Sequence, residues 1–212
     1  GTCPSCNAED QYGDACEKCG STYDALELIN PKSVLSNTLP VIRESEHYFF
    51  KLSELQSYLK TNIQQISKQS PIKAKLDEWL EEDLKDWDVS RDEPYFGFNI
   101  PGETTKYIYV WMDAPVGYLA SIQHWANKNK IDFEELMNRK DVKLIHFIGK
   151  DIVYFHLLFW PAMLKTFDIN NLDEVFVHGF LTIEGNKMSK SKGNFILADN
   201  ALKYASPDYY RY

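Results

Sequence analysis

The chain has 212 residues, 44% hydrophobic and 14% aromatic, enough to bury a sizeable core in one or two domains. Its formal net charge of -8 argues against a surface coated in basic groups for generic nucleic-acid binding, so any RNA contact has to be local or lie outside this chain. No run of about 18 apolar residues exists and the first residues carry no charged-then-apolar leader, so the expectation is a soluble, cytoplasmic protein without membrane contact.

All four cysteines lie near the start, as Cys3-Pro4-Ser5-Cys6 and Cys16-Glu17-Lys18-Cys19. A disulfide-stabilised secreted chain would more often spread its cysteines. Each C-x-x-C pair can present two thiolates to one tetrahedral ion from a tight turn, and four thiolates leave no position for water, so a zinc ion here would be structural. A pair of disulfides or a redox dithiol are the competing readings. A knuckle this short has little core, so metal binding would supply much of its folding free energy.

Residues 21–50 are mixed and punctuated by Pro31 and Pro40, and residues 47–50 predict a strand packed beside the knuckle. Residues 52–60 predict a helix with Ser53 as its N-cap and Leu55 and Leu59 on one face. Residues 61–70 are polar and read as a loop or a helical extension. From Pro71 the pattern is helical, with Leu76, Leu80 and Leu84 recurring at i+4 and Trp79 and Trp87 near that stripe. The acids at 77, 78, 81–83 and 86 read as a solvated face rather than metal or acid-base carboxylates.

Residues 89–102 are rich in Gly, Pro, Asn and Asp and read as a linker, with a domain boundary near residue 100. Residues 107–112, Tyr-Ile-Tyr-Val-Trp-Met, are apolar on both faces of a strand, as in the interior of a parallel sheet. Residues 113–118 then fall where open α/β sheets place ligands. On pattern alone, Trp111, Pro115 and Tyr118 read as core and turn residues. A helix follows to about Lys128, and another spans 133–139. Residues 143–148 predict a second buried strand, ending in the turn Gly149-Lys150-Asp151. Gly149 allows close backbone approach, and Asp151 can cap the next helix or accept hydrogen bonds from a diol such as ribose. Ile152, His156 and Trp160, at i, i+4 and i+8, share a helix face, which makes His156 a pocket candidate; Pro161 predicts a kink or local unwinding just beyond Trp160.

Residues 173–179 predict a third strand that overlaps the mostly apolar run 175–183, which reads as buried and leads into Lys187-Met188-Ser189-Lys190-Ser191. Three lysines, two hydroxyls and two flanking glycines within 185–193 suit an anion: glycines permit close approach, and ammonium groups and hydroxyls serve phosphate oxygens. The plainer reading is a solvated basic turn. Residues 199–204 begin another helix.

The lysine string resembles the KMSKS signature of class I aminoacyl-tRNA synthetases. Together with the cysteine knuckle, residues 109–118, residues 146–156 with Phe159-Trp160-Pro161, and Val177-His178-Gly179, it makes almost the whole chain resemble the methionyl-tRNA synthetase family. The resemblance implies an α/β fold: the second half of a Rossmann-like parallel sheet with helices, plus a small zinc-knuckle connective domain. Its divisions would be 1–100 for the connective region, 101–196 for the nucleotide-binding half and 197–212 for the start of a helical region. It implies ATP-dependent activation of methionine to methionyl-adenylate and transfer to tRNA, with ATP and Mg2+ as substrate and one structural Zn2+ on Cys3, Cys6, Cys16 and Cys19. Residues matching Trp111, Ala114, Pro115, Tyr118, Ile152, His156 and Trp160 would line the methionine pocket. Gly149 and Asp151 would hold the ribose. His178, Gly179 and Leu181 would lie along the adenine and phosphates, and Lys187 and Lys190 would stabilise the departing pyrophosphate. The His-x-Gly-His signature of such enzymes is absent from this sequence. The expectation is therefore a segment lacking the amino-terminal half of the catalytic domain and the anticodon-binding domain, inactive alone, with that amino-terminal half as its partner. Two other readings stand beside it. One is a zinc-ribbon RNA- or protein-interaction module on a non-catalytic α/β domain. The other is a synthetase for leucine, isoleucine or cysteine.

Overall fold

A computed structural model describes all residues except 13–15, 17, 20, 22, 170, 171, 189–192 and 212. Packing divides the chain into two compact units, Gly1–Glu46 and His47–Tyr212. The first is held by backbone pairing of Thr2 with Ile29 and by a small cluster of Cys3, Ala8, Cys16 and Tyr23, with Cys6 and Leu28 against it. A core that is half thiols buries too little apolar area to fold on hydrophobicity alone.

In the second unit β1 (Phe49–Phe50) pairs antiparallel with β2 (Trp87–Asp88). The helix predicted over 52–60 begins as a 3-10 turn, Leu52–Leu55, and continues as α1 (Gln56–Asn62). Ser53 is not its N-cap. The Ser53 hydroxyl and backbone N–H both donate to Asp86, which also pairs with Lys51 at 3.0 Å, tying the helix start to the loop after α2 (Ser70–Glu81). Those donors, Ser53 first, hold the Asp86 carboxyl below its ordinary range. Pro71 sits in the first turn of α2, and Leu76 and Leu80 are buried as the i+4 stripe predicts. Leu84 is buried beyond the helix end, and Asp77, Glu78, Glu81, Glu82 and Asp83 are exposed.

Two predictions fail between residues 89 and 112. The expected linker is half of a hairpin, β3 (Ser90–Asp92) against β4 (Lys106–Ile108). The expected buried parallel strand ends at Ile108, and the chain turns into α3 (Val110–Asp113), with the Val110 N–H donating to the Tyr95 hydroxyl at 3.1 Å. Alternating apolar residues satisfied a strand pattern, but the partner available was a short antiparallel arm. α4 (Val116–Lys128) and α5 (Phe133–Asn138) follow close to expectation, the latter capped by the Asp132 carboxylate on the Glu135 N–H.

The parallel element is β5 (Ile145–Gly149) paired in register with β6 (Glu174–His178). With the helices around it, this gives the α/β class expected from the sequence. Only one face of β5 is buried: His146 and Ile148 point inward, while Ile145 and Phe147 are exposed and Phe147 stacks on Phe176. The run 175–183 is not one buried strand, because β6 ends at His178. Between β5 and β6 the chain makes a π-helical turn over Phe155–Phe159 and then α6 (Trp160–Thr166). The irregularity thus precedes Trp160 rather than following it. Pro161 lacks an N–H and its ring crowds the carbonyl four residues back, so the strain falls on the preceding turn.

Leu157, Leu158, Trp160, Met163 and Leu164 share one core with Leu52, Leu59, Leu76 and Leu80. Residues 47–100 therefore pack with the parallel sheet, and the break in compactness falls after Glu46 rather than near residue 100. The outer edge of β6 is closed without a strand. The Ile66 carbonyl accepts the Val175 N–H at 2.9 Å, and the Gln69 amide both donates to the Val177 carbonyl and accepts its N–H, each at 2.8 Å. After β6 come the hairpin β7 (Thr182–Ile183) and β8 (Asn186–Lys187), then α7 (Ala198–Ala201) and α8 (Pro207–Arg211). Among the described residues no helix is long and apolar enough to cross a membrane.

Candidate functional site

A recess of about 180 Å³ is lined by Trp111, Ala114, Pro115, Tyr118, Ile152, Phe155 and His156. Trp111 comes from α3, Ala114 and Pro115 from the bend after it, and Tyr118 from the first turn of α4. Ile152, Phe155 and His156 come from the 3-10 and π turns that follow β5. Six of the seven residues proposed for an amino-acid pocket thus meet in one place. The seventh, Trp160, is fully buried and outside the lining, with its ring centroid 6.0 Å from that of Tyr118. Phe155 joins the wall as well: it stands three residues after Ile152, a spacing that also shares a helix face and that the i, i+4 reading passed over. Its ring meets Trp111 edge-to-face at 5.7 Å, and Trp87 closes behind it at 5.5 Å.

The polar end of the recess is a defined hydrogen-bond chain. His156 Nδ1 lies 3.0 Å from the Ile152 carbonyl, which can only accept, so Nδ1 carries the proton. The neutral ring then offers Nε2 as an acceptor, and the Tyr118 hydroxyl donates to it at 3.1 Å. Burial lowers the His156 pKa, offset in part by the bond to Ile152. Beneath lies His146, drawn down to about 4 by burial and, secondarily, by the charge His156 would carry. At neutral pH both rings are uncharged. The recess is therefore an aromatic box with a neutral polar tip, suited to an uncharged, polarizable side chain.

The second set of predicted residues gathers at the carboxyl ends of β5 and β6. Gly149 and His178 are register partners. A Cβ on Gly149 would stand 2.6 Å from Asp151 Oδ1 and 3.7 Å from His178 Cε1, so the carboxylate rests in space that only glycine leaves free. The turn after β5, Lys150–Ile152, has Gly149 at its N-cap position and Asp151 inside it, so Asp151 is not the capping residue. His178 Nδ1 donates to the Gly179 carbonyl at 2.8 Å, and Lys150 Nζ sits 4.3 Å over the Phe180 ring, joining the two turns. Gly179 faces open space and Leu181 is exposed. Because Ile152 directly follows Asp151, these strand-end residues and the recess adjoin through one turn.

The lysine segment starts on a hairpin. Glu184 and Gly185, both at positive φ, form the two-residue turn between β7 and β8, as a tight hairpin requires. Lys187 pairs through its backbone with Thr182, and the Met188 N–H donates to the Leu181 carbonyl at 3.0 Å. Lys190, with residues 189 to 192, lies outside the described residues.

In the first unit the sulfurs of Cys3, Cys6, Cys16 and Cys19 all lie within 4.8 Å of one another. The Cys3 to Cys19 and Cys6 to Cys16 separations are 3.9 and 3.6 Å, and all four are free thiols. Sulfurs bound tetrahedrally at about 2.3 Å from one ion stand about 3.8 Å apart. The N–H groups of Lys18 and Cys19 point at Cys16 Sγ, each at 3.4 Å, and Ser21 Oγ lies 3.0 Å from Cys19 Sγ. Burial would raise the Cys3 thiol, but the Cys6 N–H and Ser21 hydroxyl outweigh it and hold Cys3 at about 6. Hydrogen bonding through Ser21 also lowers Cys19. Cys6 is pushed up to about 12: the Ala8 N–H opposes the rise, which comes from burial and the three neighbouring sulfurs. Four crowded sulfurs that cannot all ionise without a counter-charge are compatible with one soft divalent cation.

The family model for class I tRNA synthetases (M) matches residues 1–212. Solved structures of Mycobacterium tuberculosis methionyl-tRNA synthetase are similar to the chain. One, in complex with methionyl-adenylate, is 28% identical with a TM-score of 0.69 over 85% of this chain and 35% of that one. A second, bound by methionyl-adenylate, is 27% identical with a TM-score of 0.65 over 81% and 33%. The apo form is 28% identical with a TM-score of 0.56 over 70% and 30%. The chain thus spans about a third of the length of the proteins it matches.

Proposed function

This chain belongs to the class I tRNA synthetases of the methionine type, and from that membership we propose that it carries the methionine side-chain pocket and part of the ATP site of a methionine–tRNA ligase. The observation that carries the reading is the recess itself. Methionine is a flexible, uncharged thioether, and a wall of Trp111, Phe155, Tyr118, Pro115 and Ile152 offers sulfur–aromatic contacts of roughly 0.3 to 1.5 kcal/mol each. The Tyr118 to His156 bond gives the tip a polar handle that disfavours leucine and isoleucine.

Beside it, Asp151 and the open backbone at Gly149 suit ribose hydroxyls, and His178, Gly179 and Leu181 suit the passage of adenine and phosphates. The reaction joins a methionine carboxylate oxygen to the α-phosphorus of ATP as the bond to pyrophosphate breaks. Positioning and charge neutralisation supply most of the rate. Lys187 and Lys190 take the growing charge of the pyrophosphate, and losing one such donor costs on the order of 3 kcal/mol at the transition state. The adenylate then passes methionine to tRNA. Cys3, Cys6, Cys16 and Cys19 would hold one zinc ion as a structural cross-link with no open position.

The test is amino-acid-dependent ATP–pyrophosphate exchange by the complete gene product, comparing methionine with leucine, isoleucine and cysteine. Exchange with methionine above all others supports the reading. Exchange favouring another amino acid, or none from a protein shown to be folded, rejects it.

A further inference from the structure

His146 is one of the least exposed polar side chains in the second unit and takes no part in lining the recess. It points inward from β5 and meets three residues of the pocket reading at once. Its ring centroid is 4.9 Å from that of Tyr118 in edge-to-face contact, 5.6 Å from His156 and 6.5 Å from Trp160. The Trp160 indole N–H, buried with the rest of its ring, donates to His146 Nε2 at 3.4 Å. An indole can only donate, so His146 supplies that proton's acceptor and in its neutral form carries its own proton on Nδ1. Leucine or phenylalanine would fill this volume without the cost of burying an imidazole. A buried histidine here is explained by what it holds: the Trp160 ring through a hydrogen bond, the Tyr118 ring through its face, and through Tyr118 the bond to His156.

Resting on the methionine reading above, we propose that His146 is a positioning residue for side-chain selection: from beneath the recess it fixes Tyr118 and Trp160, and so sets the depth and polarity of the end that receives the thioether. Among the described residues its side-chain hydrogen bond and ring contacts go to Trp160, Tyr118 and His156 and not to Gly149, Asp151 or His178, so its influence falls on the amino acid and not on the nucleotide.

The experiment is steady-state pyrophosphate exchange by the complete gene product, wild type against His146→Leu and His146→Gln, with thermal unfolding of each. A glutamine amide oxygen reaches about as far as Nε2 and can accept the indole N–H; leucine cannot. His146→Leu should raise the methionine KM about tenfold and narrow the preference for methionine over leucine by a similar factor. The ATP KM should stay within about twofold, and His146→Gln should recover most of both losses. Equal rises in both KM values, or a glutamine variant no better than the leucine one, would show that His146 is only structural and overturn the proposal. An unchanged methionine KM in a folded His146→Leu protein overturns it as well. Wild-type protein that selects another amino acid removes the methionine reading itself, and the proposal with it.

Discussion

Replacing Gln69 by alanine tests how the parallel sheet is finished. The Gln69 amide makes two hydrogen bonds of 2.8 Å to Val177, one to its N–H and one from its own Nε2 to the carbonyl, on the side of β6 away from β5. Each such bond contributes about 1 kcal/mol net, and a backbone group left unpaired out of water costs about 1 to 3 kcal/mol. Val177 is half-buried, so water reaches part of the vacated edge, and we expect Gln69→Ala to destabilise the second unit by about 2 kcal/mol. Gln69→Glu keeps an acceptor for the N–H but turns an oxygen on the Val177 carbonyl, and should cost at least as much at neutral pH. The assay is urea unfolding combined with hydrogen exchange, in which the Val177 amide should lose protection by about thirtyfold. The Phe176 amide, on the β5 side, should change only as far as global stability does. Unaltered Val177 protection with a stability change under about 0.5 kcal/mol would refute the edge-closing role.

Three further outcomes are expected. Gly149→Ala puts a methyl 2.6 Å from the present position of Asp151 Oδ1, and since that carboxylate is exposed it can swing away; thermal stability should hold while the ATP KM rises about tenfold, and an unchanged KM would sever Asp151 from the nucleotide. A strong chelator should expose the four cysteines to thiol reagents and erase exchange protection in Gly1–Glu46 while sparing His47–Tyr212; retained protection after zinc loss would mean the apolar cluster suffices. Acid should destabilise the second unit through His146. Its folded pKa, about 4, is depressed from 6.5, so the unfolded chain takes the proton first. The contribution is complete above pH 6.5 and is lost as pH falls towards 4, about 3 kcal/mol in all. His156 acts in the same direction. Denaturant midpoints from pH 7 to 4.5 should fall more steeply for wild type than for His146→Leu, and parallel curves would contradict the assignment.

Much of this protein follows from relations between residues close in the chain. The C-x-x-C pairs bring two sulfurs together within one turn, Leu76 and Leu80 share a face because they are one helical turn apart, and Gly149 permits the approach of Asp151 two residues on. These are set by backbone geometry, so residue order alone carries them; the recess residues come from the family resemblance, since on pattern alone Trp111, Pro115 and Tyr118 read as core and turn residues. Tertiary structure decided whatever required a distant partner. Residues 107–112 satisfy a buried-strand pattern, but whether that pattern becomes a strand depends on a neighbour, and the neighbour here is the short arm at Ser90–Asp92. α-Helical spacing groups Trp160 with Ile152 and His156, but the π turn over Phe155–Phe159 intervenes and Trp160 lies outside the recess lining. Tyr118 meets His156 across 38 residues, and Gln69 closes the sheet edge at Val177 across 108. Local sequence fixes what a segment can do, whereas which hydrogen-bond partner and which packing surface it finds is decided only when the whole core condenses.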